Sequence, residues 1–442
     1  MIKYTRLFIT FLLAFIVLQA RAQSTATTSS PYSQFGLGDI QDQLLPQNIG
    51  MGGIATATNS IGGYNSINII NPASYGKIGF TVIDAGIFSN VVTLSKTNFA
   101  DQRNVNTSFS HITLALPITK HSAVSFGLVP YSQMGYSYKE TSKNPQPTST
   151  ADTNVTSHIY SGDGGLSKAY LGYGFGIGKH LLLGANVSYI FGNLKQDQST
   201  EIPLLYGTLD SRQEQNSHVG GLNYDYGLQY SIDFSETKHL ILGYSASANS
   251  RLNVKQTNIV SQYYRDASGN ENVPVDSLVN SQSPNGKIQL PQINHFGITF
   301  QNEGKFMVGA DYTMGKWSDL TIAGAKAPNV QDSKRLNIGG SITPNSNALS
   351  NYLALIDYRL GFIYEDTYIN VGNTNIKRYA ATFGLGIPLP HDRASNAFYK
   401  INFSAELGQR GTVANDLVKE NYVNFHLGFT LNDRWFQRYK FE

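Results

Sequence analysis

Gly172, Gly174, Gly176 and Gly178, followed by Lys179 and His180, come closest in this chain to a phosphate-binding loop. Such a loop needs wider glycine spacing and a Ser or Thr after the lysine. Glycines two apart instead line one face of a strand, where they leave a smooth wall for other backbone to pack against. The 9 histidines are scattered. Three of them, His121, His180 and His239, each follow a lysine at a short turn, a solvated setting. No spacing brings metal ligands together, and neither an H-E-x-x-H run nor a Ser, His and acid constellation is visible. The expectation is a protein without enzymatic chemistry, cofactor or metal.

The other candidates are positional. Pro130, in Gly127-Leu128-Val129-Pro130-Tyr131, removes a donor inside a strand-like run. It marks either a lateral opening in a wall, with Gly127, or the point where the strand has left a membrane for its loop. Asp84, Asp225, Asp233, Asp311, Asp357, Arg359 and Glu406 fall on the polar phase of alternating segments, and Arg359 with Asp311 or Asp357 is a candidate clamp. Trp317, Trp435 and Phe436 stand near segment ends, where aromatic rings favour a membrane interface.

The elements that would position these residues have a strand period. From Leu222 to Ile232 apolar residues alternate with Asn223, Asp225, Gly227, Gln229 and Ser231, and the pattern resumes after Ser235 to Lys238. Each half is long enough for the ~9 to 11 residues of a tilted membrane strand. Fourteen such segments are predicted, approximately 80–95, 106–118, 122–138, 166–177, 181–194, 219–234, 239–255, 289–301, 305–317, 332–343, 350–364, 375–388, 396–409 and 420–433. Their connections are read as alternating between long and short, with polar loops at 139–165, 195–217 and 256–287. That sorting is expected of an outer-membrane barrel.

Composition agrees: 42 Gly, 27 Tyr, 23 Phe, no Cys and 14% charged residues describe an aromatic, glycine-rich β protein without disulfides. Lys3 and Arg6, the apolar run Leu7 to Leu18, and Ala20-Arg21-Ala22 read as a signal peptide over 1–22. Removing it takes three of the cations behind the +3 formal charge, leaving a nearly neutral chain with no basic patch for a nucleic-acid partner. Residues 23–78, rich in Gly and small polar residues, read as a compact plug for the lumen of a barrel spanning 79–442. The fold class is therefore all-β, a 14-stranded antiparallel transmembrane β-barrel with an N-terminal lumenal hatch.

This order of parts resembles the FadL/TodX family of outer-membrane barrels. The resemblance rests on Gly50, Gly52 and Gly53 within Gly50 to Ala57, on Asn71-Pro72-Ala73, on Phe296 to Phe300 with Asp311-Tyr312 and Trp317, and on Tyr358 to Tyr364. The stretches Ser30 to Asp39 and Leu431 to Phe436 resemble a Bacteroidetes-type branch, and the whole is also similar to PorV-like barrels. The family resemblance implies location in the outer membrane of a Gram-negative bacterium, contact with its lipid, and passage of a small apolar ligand by diffusion past the hatch. The PorV likeness implies an accessory subunit of an outer-membrane protein secretion, uptake or assembly complex. Apolar helices that capture ligand in the family's outer loops have no counterpart except Ile202 to Tyr206.

Overall fold

The computed structural model describes residues 28–143, 155–202, 209–266, 268, 270–272, 276–389 and 398–433. The expected signal peptide, Trp435, Phe436 and most of Ile202 to Tyr206 lie outside them.

Alternation with period two builds one closed antiparallel wall. Its strands are β1 (Thr81–Ser95), β2 (Gln102–Thr119), β3 (Ser122–Lys143), β4 (Val155–Ile177), β5 (Leu181–Glu201) and β6 (Asp210–Asp233). They continue with β7 (Lys238–Ser247 and Arg251–Tyr263), β8 (Asp276–Gln289 and Ile293–Asn302), β9 (Phe306–Gly315) and β10 (Ser333–Ile342). The circuit finishes with β11 (Asp357–Val371), β12 (Thr374–Pro388), β13 (Phe398–Gly411) and β14 (Lys419–Asp433). β14 pairs with β1 from Lys419↔Ser95 to Asp433↔Thr81, which closes the barrel. The strands β7 and β8 break side by side at 248–250 and 290–292, where Pro291 has no N–H to give. A single hydrogen bond from Leu290 N–H to Ser250 O, 2.9 Å, bridges the two breaks.

Parity sorts the faces as expected. Leu222, Tyr224, Tyr226, Leu228, Tyr230 and Ile232 are exposed on the outside of β6, while Asn223, Asp225 and Gln229 are buried inside it. With no helix long and apolar enough to cross a membrane among the described residues, this band of lipid-compatible side chains on a closed wall is what equips the chain for a bilayer.

Two expectations about the connections need correction. The segments read as polar loops at 139–165, 195–217 and 256–287 are largely strand. β3 to β6 run for 22, 23, 21 and 24 residues, against 10 in β9 and β10. There both faces are polar, so the apolar phase disappears while backbone pairing continues. The result is a wall that is tall on one side and low on the other. The alternation of long and short connections also fails late in the chain: β10 and β11 are joined by residues 343–356, whereas β11 and β12 meet in the tight turn 372–373.

Candidate functional site

Residues 28–78 lie against the inward faces of the strands, and their sequence shows why. Gly50, Gly52 and Gly53 follow a single helical turn, Pro46–Ile49, and let the chain approach the wall backbone to backbone. Gly52 has φ +71°, and a Cβ placed on it would fall 2.5 Å from the carbonyl oxygen of Ile338. The wall reciprocates, because a Cβ on Gly361 of β11 would fall 2.1 Å from Gly52 N. Thr382 accepts from Gly52 N–H at 2.8 Å and donates to Gly50 O at 3.1 Å. Farther along, Asn71 caps Pro72–Lys77 by accepting from Ala73 N–H at 3.1 Å. Its amide donates to Thr56 O at 2.7 Å and to Leu228 O at 3.2 Å. Pro72 O packs over Gly174 and Gly184, the glycine face of β4 and β5.

Charged residues complete the attachment. Asp311 Oδ2 accepts the backbone N–H groups of Ala55 and Thr56, each at 2.7 Å. Arg359 is occupied within the wall, donating to Asp357 at 2.8 Å and Asn402 at 2.8 Å, while Lys400 reaches Asp357 at 2.6 Å. Of the two expected pairings, Arg359 takes Asp357, in a group beside Gly62, while Asp311 holds the segment without Arg359. Removing the Asp311 carboxylate with Asp311→Ala strands two buried N–H donors at about 1.5–3 kcal/mol each. Amide hydrogen exchange at Ala55 and Thr56 is expected to accelerate at least tenfold, with the β9–β10 amides unchanged.

A larger network was anticipated only at Asp225 and Glu406. Asp42 contacts Arg335 and, at 3.3 Å, Arg378; both arginines contact Glu365, and Arg378 also reaches Glu406 at 3.2 Å. Arg410 joins Asp39 at 2.7 Å and Glu420 at 3.2 Å, and Ser30 donates to Glu420 at 2.5 Å. Lys168 links Gln43 to Asp225. Every one of these wall residues falls on the inward phase of its strand, which is the signal that could have flagged them; their partners across the lumen were not readable. Burial pushes the Asp42 carboxyl up, but Arg335 and Arg378 outweigh it and hold it well below the usual carboxylate range. Such a group stabilises the fold above its unfolded value of 3.8 and loses that contribution only as pH falls through the lower folded value. Protease protection of residues 28–78 is thus expected to persist from neutral pH into the carboxylate range; release near neutral pH would contradict it.

Among the described residues, cavities of about 150 and 110 Å³ lie against the strap formed by residues 39–44. Both are lined by Asp39, Asp42, Arg378 and Arg410, and the larger adds Lys168, Asp225, Arg335 and Glu365. Ion pairs cross both, and the larger also has apolar walls from Ile40, Ile69, Tyr131, Leu290 and Trp317. Toward the tall end an apolar cluster joins Tyr32 and Leu37 to Leu166, Ile190, Leu252 and Ile288. Trp317 belongs to this cluster. It is 4% exposed and stacks on Tyr368 with centroids 4.5 Å apart, so its expected place at the membrane interface is corrected: the chain turns inward after Gly315 and carries the ring into the lumen.

At Pro130 the wall opens. β2 and β3 pair only from Ile112↔Leu128 to Thr119↔Ser122. Farther up, β3 pairs instead with Asp39–Ile40 of the N-terminal segment, through Gln133 and Ser132. Gly127 sits just inside the last paired rungs, packed on Ile112 and Thr113. Behind the seam, Ser110 Oγ lies 3.0 Å from His111 Nδ1, and His111 Nε2 lies 2.7 Å from Asp84 Oδ1. Here the fold assembles a Ser, His and acid constellation that the sequence reading did not see, and it ties β1 to β2 beside a cavity of about 30 Å³.

Comparison with solved structures identifies the fold. The toluene transporter TodX of Pseudomonas putida is similar over 89% of this chain and 99% of its own, at 14% identity and a TM-score of 0.57. A Pseudomonas aeruginosa FadL homologue matches over 90% and 100% at 12% identity, TM-score 0.55. The CymD monoaromatic hydrocarbon channel matches over 91% and 100% at 13% identity, TM-score 0.53. At these identities the likeness is one of fold. No curated protein sequence matches the chain. The family model described as BamG matches residues 1–442, the whole sequence, and the chain belongs to the BamG family.

Proposed function

We propose that this protein is an exported outer-membrane barrel of a Gram-negative bacterium whose lumen is held shut, working as an accessory subunit of an outer-membrane protein complex. In this reading residues 1–22 are a signal peptide, 23–78 a hatch and 79–442 the barrel. Asp311 clamps the hatch directly, while Asp357 and Arg359 stiffen the wall beside it. The observation that carries the reading is the charged lumen. A channel for apolar compounds needs an uninterrupted apolar path between hatch and wall, and here ion pairs of arginines with carboxylates cross that space among the apolar side chains. The strands that rise past the membrane on one side of the barrel offer a rigid surface for a partner.

One observation favours a second reading, diffusion of a small hydrophobic compound past the hatch. The seam at Gly127 and Pro130 is a gap through which an apolar molecule would leave for lipid, and the similar structures include proteins named as toluene transporters. Equilibrium binding of radiolabelled toluene and oleate to the purified barrel separates the two. The subunit reading predicts no saturable binding. Saturable binding of either compound would establish the channel instead.

A further inference from the structure

The repeated lysine and histidine pairs at the short turns have so far been given no role. Lys120-His121 joins β2 to β3, Lys179-His180 joins β4 to β5, and Lys238-His239 opens β7 after the β6 turn. The next short turn along the same rim, between β8 and β9, ends in Lys305. The histidines tie neighbouring turns together. His180 Nδ1 lies 3.2 Å from Asp233 Oδ2, His239 Nδ1 lies 2.6 Å from Asp233 Oδ1, and His239 Nε2 lies 3.6 Å from Glu303. Two of the acids at this rim are thereby occupied, and the turns are fixed relative to one another.

The lysines are left over. Lys120, Lys179, Lys238 and Lys305 are all exposed, and among the described residues none has an ion pair or side-chain hydrogen bond. Adjacent short turns are two strands apart, about 12 Å along the rim for strands tilted near 40°. Depth decides what these amines meet. Ile118, Ile177 and Phe306, exposed at 60%, 51% and 40% on the lipid-facing side, stand one or two residues from Lys120, Lys179 and Lys305, and Phe234 is exposed in the β6 turn. The cations therefore sit where the apolar band ends, at the level of lipid headgroups.

We propose that this arc binds anionic phospholipids of the leaflet on the short-turn side, with phosphates seated between lysines and acyl chains lying on Ile118, Ile177, Phe234 and Phe306. The inference rests on the membrane placement proposed above and not on the partner reading. A lysine near an anionic surface is expected to favour binding about fivefold, so the array discriminates strongly between anionic and zwitterionic lipid.

The test uses the full-length barrel reconstituted in nanodiscs of phosphatidylethanolamine with or without phosphatidylglycerol, followed by native mass spectrometry of the lipid retained on release. Three proteins are compared: wild type, a rim variant (Lys120→Gln, Lys179→Gln, Lys238→Gln, Lys305→Gln), and a control of equal charge change at the tall end (Lys139→Gln, Lys143→Gln, Lys255→Gln, Lys326→Gln). Heat-modifiable migration confirms that each has folded and inserted. Wild type and control should retain phosphatidylglycerol over phosphatidylethanolamine, and the rim variant should lose that preference at least tenfold. Equal retention of both lipids by wild type, or a preference that survives in the rim variant, overturns the proposal. So does carboxylate-to-lysine crosslinking in native membranes that joins these four positions to a protein. Failure of wild type to insert would instead remove the membrane placement itself.

Discussion

Replacement of Arg378 by methionine is expected to destabilise the attachment of residues 28–78 by roughly 3–5 kcal/mol, the range for breaking a buried ion network from one side. This guanidinium alone touches Asp42, Glu365 and Glu406. Without it Asp42 and Glu365 share a single cation, Arg335, and Glu406 keeps only the phenol of Tyr422. The methionine fills much of the volume, so the loss is electrostatic. Limited proteolysis should show the N-terminal segment cut at least a hundredfold faster in Arg378→Met, while the heat-modifiable shift of the wall stays in place. Adding Glu365→Gln should recover part of the loss, because it removes one of the carboxylates left short of a partner. Unchanged protection in Arg378→Met would mean that glycine packing, and not the charges, holds the segment.

The second large effect is steric. Gly361→Val puts branched carbon into a place where even a Cβ would fall 2.1 Å from Gly52 N and 2.4 Å from Gly52 Cα. Valine suits a strand, so β11 and the wall should still form; the side that must yield is residues 50–53. Overpacking of this kind costs about 1–3 kcal/mol and more when backbone is the obstacle. With the segment displaced, the cavities against residues 39–44 would merge into a water path. Planar-bilayer recordings should show a closed wild type and a steady conductance in Gly361→Val. Leu360→Val, one residue away on the lipid-facing phase and 59% exposed, should leave the barrel closed. A closed Gly361→Val variant would show that the segment tolerates retreat from the wall without opening the lumen.

How much of this was legible in the sequence depends on the range of the interaction. Period-two alternation is local, and it placed all fourteen wall strands, since a one-residue slip would turn every inward Asp, Arg and Asn toward lipid. Where both faces are polar the pattern vanishes, and the upper halves of β3 to β8 were therefore mistaken for loops. The glycines of residues 50–53 and the Asn71-Pro72 cap were recognisable as residues suited to close approach. What they approach was not, because Gly361 and Gly384 look like any other strand glycine until the register is known. Asp42 and Arg335 are 293 residues apart, and nothing local announces that they meet. Trp317 was misplaced for a related reason: its position near a strand end was readable, but the inward turn after Gly315 was not.

The central claim, a locked barrel that acts through a protein partner, is tested most directly by gentle detergent extraction of the tagged protein at its natural abundance from its own membrane. Mass spectrometry would then be applied to the proteins and to the small apolar molecules that remain bound. The account predicts stoichiometric outer-membrane protein partners and no stoichiometric apolar ligand in the lumen. Recovery of the barrel alone, carrying one small hydrophobic molecule per chain, would contradict it and return the protein to the channels it resembles in fold.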